Sequence, residues 1–181
     1  MPRQSITWVI TDTHLYHDAI IAVCDRPIDH DELWINHCRH LCAKQDLLIH
    51  LGDVIFYNYP NLNLVLGQIP CKKILVQGNH DKRSRNWYNN NGFDFTCDSF
   101  TYDNIIFSHK PLEIFQSGVT YNIHGHWHNL LDQPEEHLNI PTWWSPKTHY
   151  LLSLEKMNYK PVKLTEIQSI QKKNNAIIVQ E

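Results

Sequence analysis

The chain has 181 residues, 42% hydrophobic and 19% charged, proportions that suit a soluble globular protein long enough to bury one sizeable core, so residues 1–181 are expected to form a single domain. No apolar run approaches the roughly 20 residues needed to cross a bilayer, and Met1–Ser5 leads into strand-like sequence without a secretion signal, so a cytoplasmic protein with no membrane partner is expected. A formal net charge of −3 argues against an extended nucleic-acid surface, yet small or short phosphorylated substrates, a nucleotide among them, stay open because bound cations reverse the local field.

Taken in chain order, the run Ile6–Thr11 predicts a first strand that stops at Asp12. Asp29 to Lys44 predicts a helix, with Asp29 as its cap, Glu32 completing a capping box, and Leu33, Cys38, Leu41 and Cys42 as its apolar stripe. Leu47–Leu51 predicts a second strand, ending at Gly52 and Asp53. Pro60 and Asn61 open a shorter helix through Leu66. Ile74–Gln77 predicts a strand that runs into Gly78, Asn79, His80 and Asp81, and Ser84 starts a helix through Trp87 and Tyr88 toward Gly92. Ile105–Ser108 and Tyr121–Ile123 predict strands ending at His109 and at the Gly125-His126 turn. Tyr150–Leu154 predicts a last strand, and Leu164–Ile170 a weak helix with a polar tail. Continuous apolar strands alternating with helices imply an α/β layered fold, in which active groups gather at the carboxyl ends of strands.

Five cysteines (Cys24, Cys38, Cys42, Cys71 and Cys97) form no Cys-x-x-Cys and read as reduced, partly buried thiols. The thirteen histidines are the unusual feature. Asp12-Thr13-His14, Gly52-Asp53, Gly78-Asn79-His80-Asp81, Ser108-His109 and Gly125-His126-Trp127-His128 each follow a strand candidate. Mixed carboxylate, imidazole and amide ligands suit a borderline divalent ion, manganese foremost, with iron, zinc or nickel as alternatives. Two such ions about 3.5–4 Å apart can clamp the attacking and leaving oxygens of a displacement at phosphorus and lower the pKa of bound water toward about 7. Asp53 is the natural bridge, each of its oxygens taking one ion. Histidine beside such a site is well poised to protonate a leaving oxygen near neutral pH.

The ordered set D-x-H, G-D, G-N-H-D, H and G-H-x-H resembles the calcineurin-like metallophosphoesterase superfamily. Asp12 to His17, with Ile20, Ile21 and Cys24 to Pro27, looks like its small bacterial and phage branch, and Tyr159–Val162 through Ile167 fits the same branch. Leu15-Tyr16 stands where that branch usually has Phe-Gly, and Asp25 where it has Asn. The resemblance implies a four-layer αββα sandwich of two mixed β-sheets flanked by helices. It implies that Asp12, His14 and His128 hold a first ion and Asn79, His109 and His126 a second, with Asp53 between them. His80 would protonate the leaving group, its imidazole oriented by Asp81. The implied reaction is hydrolysis of a phosphate ester by metal-bound hydroxide, a phosphodiester such as a cyclic nucleotide or nucleic-acid end being preferred over a monoester. The rival reading is a non-catalytic scaffold of the same fold that binds other proteins. Such scaffolds lose the general-acid histidine or some ligands, and this chain keeps every one.

Other residues have weaker claims. His17 is a candidate phosphate contact, and Arg26 a candidate bidentate phosphate clamp or, equally, a structural ion pair. Lys82, Arg83 and Arg85 could line the substrate entrance, although a solvated helix start explains them as well. His50 and His124 are expected to be buried behind the site, whereas His30, His37, His40, His137 and His149 are read as surface or core. Trp127, Trp143 and Trp144 are expected to pack in the core rather than stack a base.

Overall fold

The computed structural model describes residues 3–56, 61–129, 131 and 139–176, without the side chains of 175 and 176. Pro60, the expected start of the short helix, and His137 lie outside the described residues. The elements in order are β1 (Thr7–Ile10), α1 (Asp18–Cys24), α2 (His30–Leu41), β2 (Leu47–His50), α3 (Leu62–Leu66), β3 (Lys72–Val76) and α4 (Arg85–Asn90). Then follow β4 (Phe95–Cys97), β5 (Ser99–Tyr102), β6 (Ile105–Ser108), β7 (Tyr121–His124), β8 (His149–Leu151), β9 (Val162–Lys163) and α5 (Leu164–Ala176). No helix among the described residues is long and apolar enough to cross a membrane.

The strands form two mixed sheets flanked by helices, as expected. The first has the order β4-β3-β2-β1-β9, parallel except for β9, which pairs antiparallel with β1. The second has the order β5-β6-β7-β8, with β5 antiparallel to β6 and the rest parallel. Side-chain alternation explains the layering. Trp8, Ile10, Leu48 and Leu75 join Trp34 and Cys38 of α2, Leu62 and Leu66 of α3, and Tyr88 of α4 in one core cluster. Their strand neighbours Val9, Ile49 and Val76 join Phe107, Tyr121, Ile123 and Leu152 in a second cluster between the sheets, reached by Ile167 of α5. A sheet buried on both faces needs unbroken apolar strands, which is why its hydrophobic runs show no alternation of polarity.

Asp46 ties the amino-terminal segment to the turn before β2. Its carboxylate accepts from Arg3 Nη2 at 2.8 Å, Ile6 N at 2.9 Å, Trp8 Nε1 at 3.0 Å and Ala43 N at 3.0 Å. Burial opposes the charge, but those donors outweigh it and hold the Asp46 pKa below its usual value.

Several expectations need correction. Asp29 precedes α2, but its side chain makes no capping hydrogen bond, and the buried face of α2 is His30, Trp34 and Cys38, with Leu41 exposed. Ser84 does cap α4, accepting from Trp87 N at 3.2 Å. The final predicted strand ends early, because Leu152–Leu154 leave the sheet. Helix α1 and strands β4, β5 and β9 were not anticipated. They are short, and β5 is largely exposed, so no apolar run announces it.

Candidate metal centre

Strands β1, β2 and β3 of one sheet and β6 and β7 of the other deliver five loops to a single point. The loops after β1 and β2 are laced by backbone bonds, Asp12 N to Gly52 O at 3.0 Å and His14 N to Asp53 O at 2.9 Å. Two further bonds stitch the sheets together across the site. His126 N donates to Asp12 Oδ2 at 2.9 Å, and His109 Nδ1 donates to the Leu51 carbonyl at 2.8 Å. The second bond fixes the proton on Nδ1, so His109 presents Nε2 inward.

The chemistry concentrates in two groups. Asp12, His14 and His128 offer ligand atoms within 4.8 Å of one another, and Asp53, His109 and His126 do the same. Asp53 Oδ2 lies between the groups, 3.6 Å from His14 Nε2 and 3.3 Å from His109 Nε2. Asn79 Oδ1 adds to the second group, 3.0 Å from His109 Nε2, and His126 Nδ1 lies 3.2 Å from the same atom. All seven predicted ligand positions therefore converge. The two Asp53 oxygens are not equivalent, because Oδ1 accepts from His80 N at 2.8 Å. One oxygen, Oδ2, faces both groups.

These residues suit divalent cations. Asp12 Oδ1 and both ring nitrogens of His14 are buried without a hydrogen-bond partner, an arrangement that is costly unless something positive binds there. Burial holds the His14 pKa down at about 2 and that of His126 at about 4, so both rings are neutral near pH 7, the form that can hold a cation. Burial also disfavours the charge of Asp53, but the hydrogen bond and charge of His109 with the amide of His80 outweigh it, and Asp53 stays ionised below the usual carboxylate range.

The backbone is shaped to bring these atoms together. Asp12, His14, Asp53, His126 and His128 all have positive φ, between 47° and 72°. Asp and His tolerate this left-handed region better than most residues, though not freely. Glycine is obligatory at two close approaches: a Cβ on Gly78 would sit 2.1 Å from Asp53 Oδ1, and one on Gly125 would sit 2.0 Å from Thr11 Oγ1.

A supporting layer surrounds the two groups. Glu155 Oε1 lies 3.2 Å from His128 Nδ1 and also accepts from Arg26 Nε at 2.9 Å and Nη2 at 2.6 Å, while Ser153 Oγ donates to Oε2 at 2.9 Å. Burial would lower the His128 pKa, but hydrogen bonding to Cys24 and Glu155 and the charge of Asp12 raise it to about 10. Cys24, His128 and Glu155 form a third potential ligand group, yet both Glu155 oxygens are already engaged by their neighbours. Thr13 Oγ1 donates to Val54 O at 3.0 Å and meets His50 Nε2 at 3.0 Å, so buried His50 braces the first two loops. His124 is likewise buried, holding Gly125 O at 2.9 Å and accepting from Trp144 Nε1 at 2.8 Å. Trp127 and Trp144 are half-buried and pack on each other and on His124, and Trp143 packs on His149.

One of the two readings of Arg26 is favoured, and the role of Asp81 changes. Arg26 is fully buried and spends its guanidinium on Glu155, Asp12 O and Thr13 O, so it is a structural clamp and not a phosphate contact. Asp81 makes no hydrogen bond to the His80 ring; its oxygens accept from Gly78 N, Asp53 N and Val54 N. It is the strut that fixes the Asp53 loop. The His80 ring lies 5.4 Å from that of His14 and 5.2 Å from that of Phe56, at the mouth of the site. His17 stacks on Phe56, centroids 3.5 Å apart and planes 1° from parallel, and stands 5.5 Å from His14. Sequence reasoning missed Glu155, Thr11 and Phe56. None lies inside a recognisable ligand motif, although Thr11 directly precedes one and donates to Asp12 Oδ2 at 2.6 Å.

Comparison with known proteins bears on the fold and on the family. An uncharacterized protein of Methanocaldococcus jannaschii is 28% identical over 188 aligned positions, covering 94% of this chain and 93% of that one. The crystal structure of a protein of unknown function from Aquifex aeolicus matches with a TM-score of 0.70 at 23% identity, over 92% of this chain and 100% of the other, which speaks to the fold alone. The calcineurin-like phosphoesterase family matches residues 7–179, a span that takes in every loop of the centre, and the chain belongs to that family.

Proposed function

We propose that the chain is a binuclear metal-dependent phosphoesterase whose substrate is a small or short phosphorylated compound, a phosphodiester in preference to a monoester. The observation that carries this reading is the position of Asp53 Oδ2 between two ligand groups, the first of which keeps buried, unpartnered ligand atoms on Asp12 and His14. Asp12, His14 and His128 would hold one cation and Asn79, His109 and His126 the other, with Asp53 shared. When bound, such a pair supplies an activated water and positive charge for the phosphate oxygens.

The protein's own groups do the rest. Arg26, Glu155 and Asp81 hold the ligand loops in register. His17 faces the entrance, where a phosphate oxygen can meet it. His80 donates a ring proton to the ester oxygen as its bond to phosphorus breaks, so the product leaves as a neutral alcohol, and solvent returns the proton. Manganese is the first candidate, with iron, zinc and nickel acceptable to the same donor set.

The test is elemental analysis of the purified chain, followed by a panel of phosphomonoesters and phosphodiesters assayed with manganese, nickel, zinc and magnesium. Two cations per chain with diesterase activity are expected. A chain that stays metal-free and inert in excess manganese overturns the proposal, and tight metal binding without turnover of any ester points instead to a scaffold.

A further inference from the structure

Beside His80 the surface opens into a second chamber, away from the ligand groups. It has a volume of about 280 Å³ and is lined by Ile55, Phe56, His80, Lys82, Arg83, Trp87 and Tyr88. Ile55 and Tyr88 are buried and form an apolar floor. Phe56 and Trp87 supply aromatic rings, and Lys82 and Arg83 are exposed beside them. The Arg83 guanidinium stands 5.6 Å from the centre of the Trp87 ring, an attraction that holds both groups in place. No carboxylate lines the chamber among the described residues, and neither Lys82 nor Arg83 has a carboxylate partner there. Arg85, by contrast, is paired with Asp98. Two cations with no carboxylate partner among the described residues, set beside aromatic rings, are conspicuous in a chain of net charge −3.

We infer that this chamber is the leaving-group subsite, and that it takes a mononucleotide: a planar base against Phe56 and Trp87 and an anionic phosphate against Lys82 and Arg83. The inference rests on the phosphoesterase reading, because it is the position of His80 at the inner edge that makes the chamber's occupant the departing group. The chemistry of the walls selects the ligand. Aromatic side chains stack on bases of any identity, and a guanidinium with an ammonium recognises phosphate. The size sets the limit. About 280 Å³ falls just below the roughly 300–1,000 Å³ of small-molecule sites, so a single nucleotide would fill it and a longer strand would extend beyond it. The floor also communicates with the metal centre, since Tyr88 Oη lies 3.4 Å from Asp81 Oδ1 and Asp81 holds the Asp53 loop.

The experiment compares the manganese-loaded full chain with its Lys82→Ala/Arg83→Ala and Trp87→Phe variants on two diesters, the dinucleotide pTpT and bis-p-nitrophenyl phosphate. The double variant is expected to raise KM for pTpT about tenfold, with an effect on bis-p-nitrophenyl phosphate at least about fivefold smaller. Equal effects on the two substrates, or none on pTpT, overturn the inference. A binding measurement separates it from the hydrolase reading: calorimetric titration of adenosine 5′-monophosphate into the chain in excess chelator. Binding weakened about tenfold by the double variant supports the subsite even in a chain that hydrolyses nothing. Failure of the nucleotide to bind the parent chain sinks the subsite while leaving the metal chemistry standing.

Discussion

Glu155 Oε1 sits 3.2 Å from His128 Nδ1 while accepting a 2.6 Å bond from the buried guanidinium of Arg26. One carboxylate thus orients an imidazole at the metal centre and neutralises the cation that grips the Asp12 loop through Asp12 O and Thr13 O. Outer partners of ligating histidines are worth about 10–100-fold in metal affinity or activity. Glu155→Gln keeps the shape and removes the charge, and it is expected to weaken metal binding within that range when measured by calorimetry. An affinity equal to that of the parent chain would show that His128 is oriented without Glu155.

Asp53→Asn addresses the shared oxygen. The substitution leaves the size of the side chain nearly unchanged but removes the negative charge that faces both ligand groups. Turnover is expected to fall by at least about 10²-fold, the scale seen when a charge-stabilising group is lost from an active site, and elemental analysis should find fewer than two cations per chain. A fully loaded, fully active variant would dismiss Asp53 as the bridge.

His80→Ala separates proton donation from metal binding. A general acid contributes about 10²–10⁴-fold, but only where the leaving oxygen needs a proton. The variant is therefore expected to keep its metal, lose most of its activity on diesters of simple alcohols, and lose much less on p-nitrophenyl esters. Equal losses on both substrate types, or loss of the metal, would assign His80 a different role.

Asp46 gives a prediction about the fold alone. Asp46→Ala strands the buried indole N–H of Trp8 and the amide of Ile6, at a cost of about 2–3 kcal/mol, or a lowering of Tm by about 5–10 °C for a chain of this length. Because the folded-state pKa of Asp46 lies below the ordinary 3.8, its contribution is complete above that value and is lost as pH falls through the folded-state pKa. Thermal melts of the two proteins should differ most above pH 4 and converge in stronger acid. A constant gap down to pH 2 would contradict the carboxylate's role.

Strands β1, β2 and β3 of the first sheet and β6 and β7 of the second were readable because burial on both faces leaves continuous apolar runs, and the ligand loops because each run stops at a polar cluster. Short pairings such as Val9 with Val162 were not readable, since two residues carry no periodicity. The same distinction governs the site. Asp12, His14, Asp53 and the others stand in local motifs, but Glu155 reaches Arg26 across 129 positions, and a long-range contact of that kind leaves no local trace. Asp81 was misassigned for a related reason. The resemblance implied that its carboxylate orients the His80 ring, whereas the turn directs its oxygens at the backbone of a different loop.

Five residues with left-handed backbone, each facing the centre, have a consequence for anyone seeking a hardier version of this protein. The three histidines among them, His14, His126 and His128, hold that conformation at a cost of about 1 kcal/mol each, so glycine or asparagine in their place would favour the folded chain by easing the turn. Selection for heat resistance alone, with catalysis left unmonitored, would drift toward those changes and dismantle the ion-holding shell first. The sturdiest descendants would then be the ones least able to cleave a phosphate.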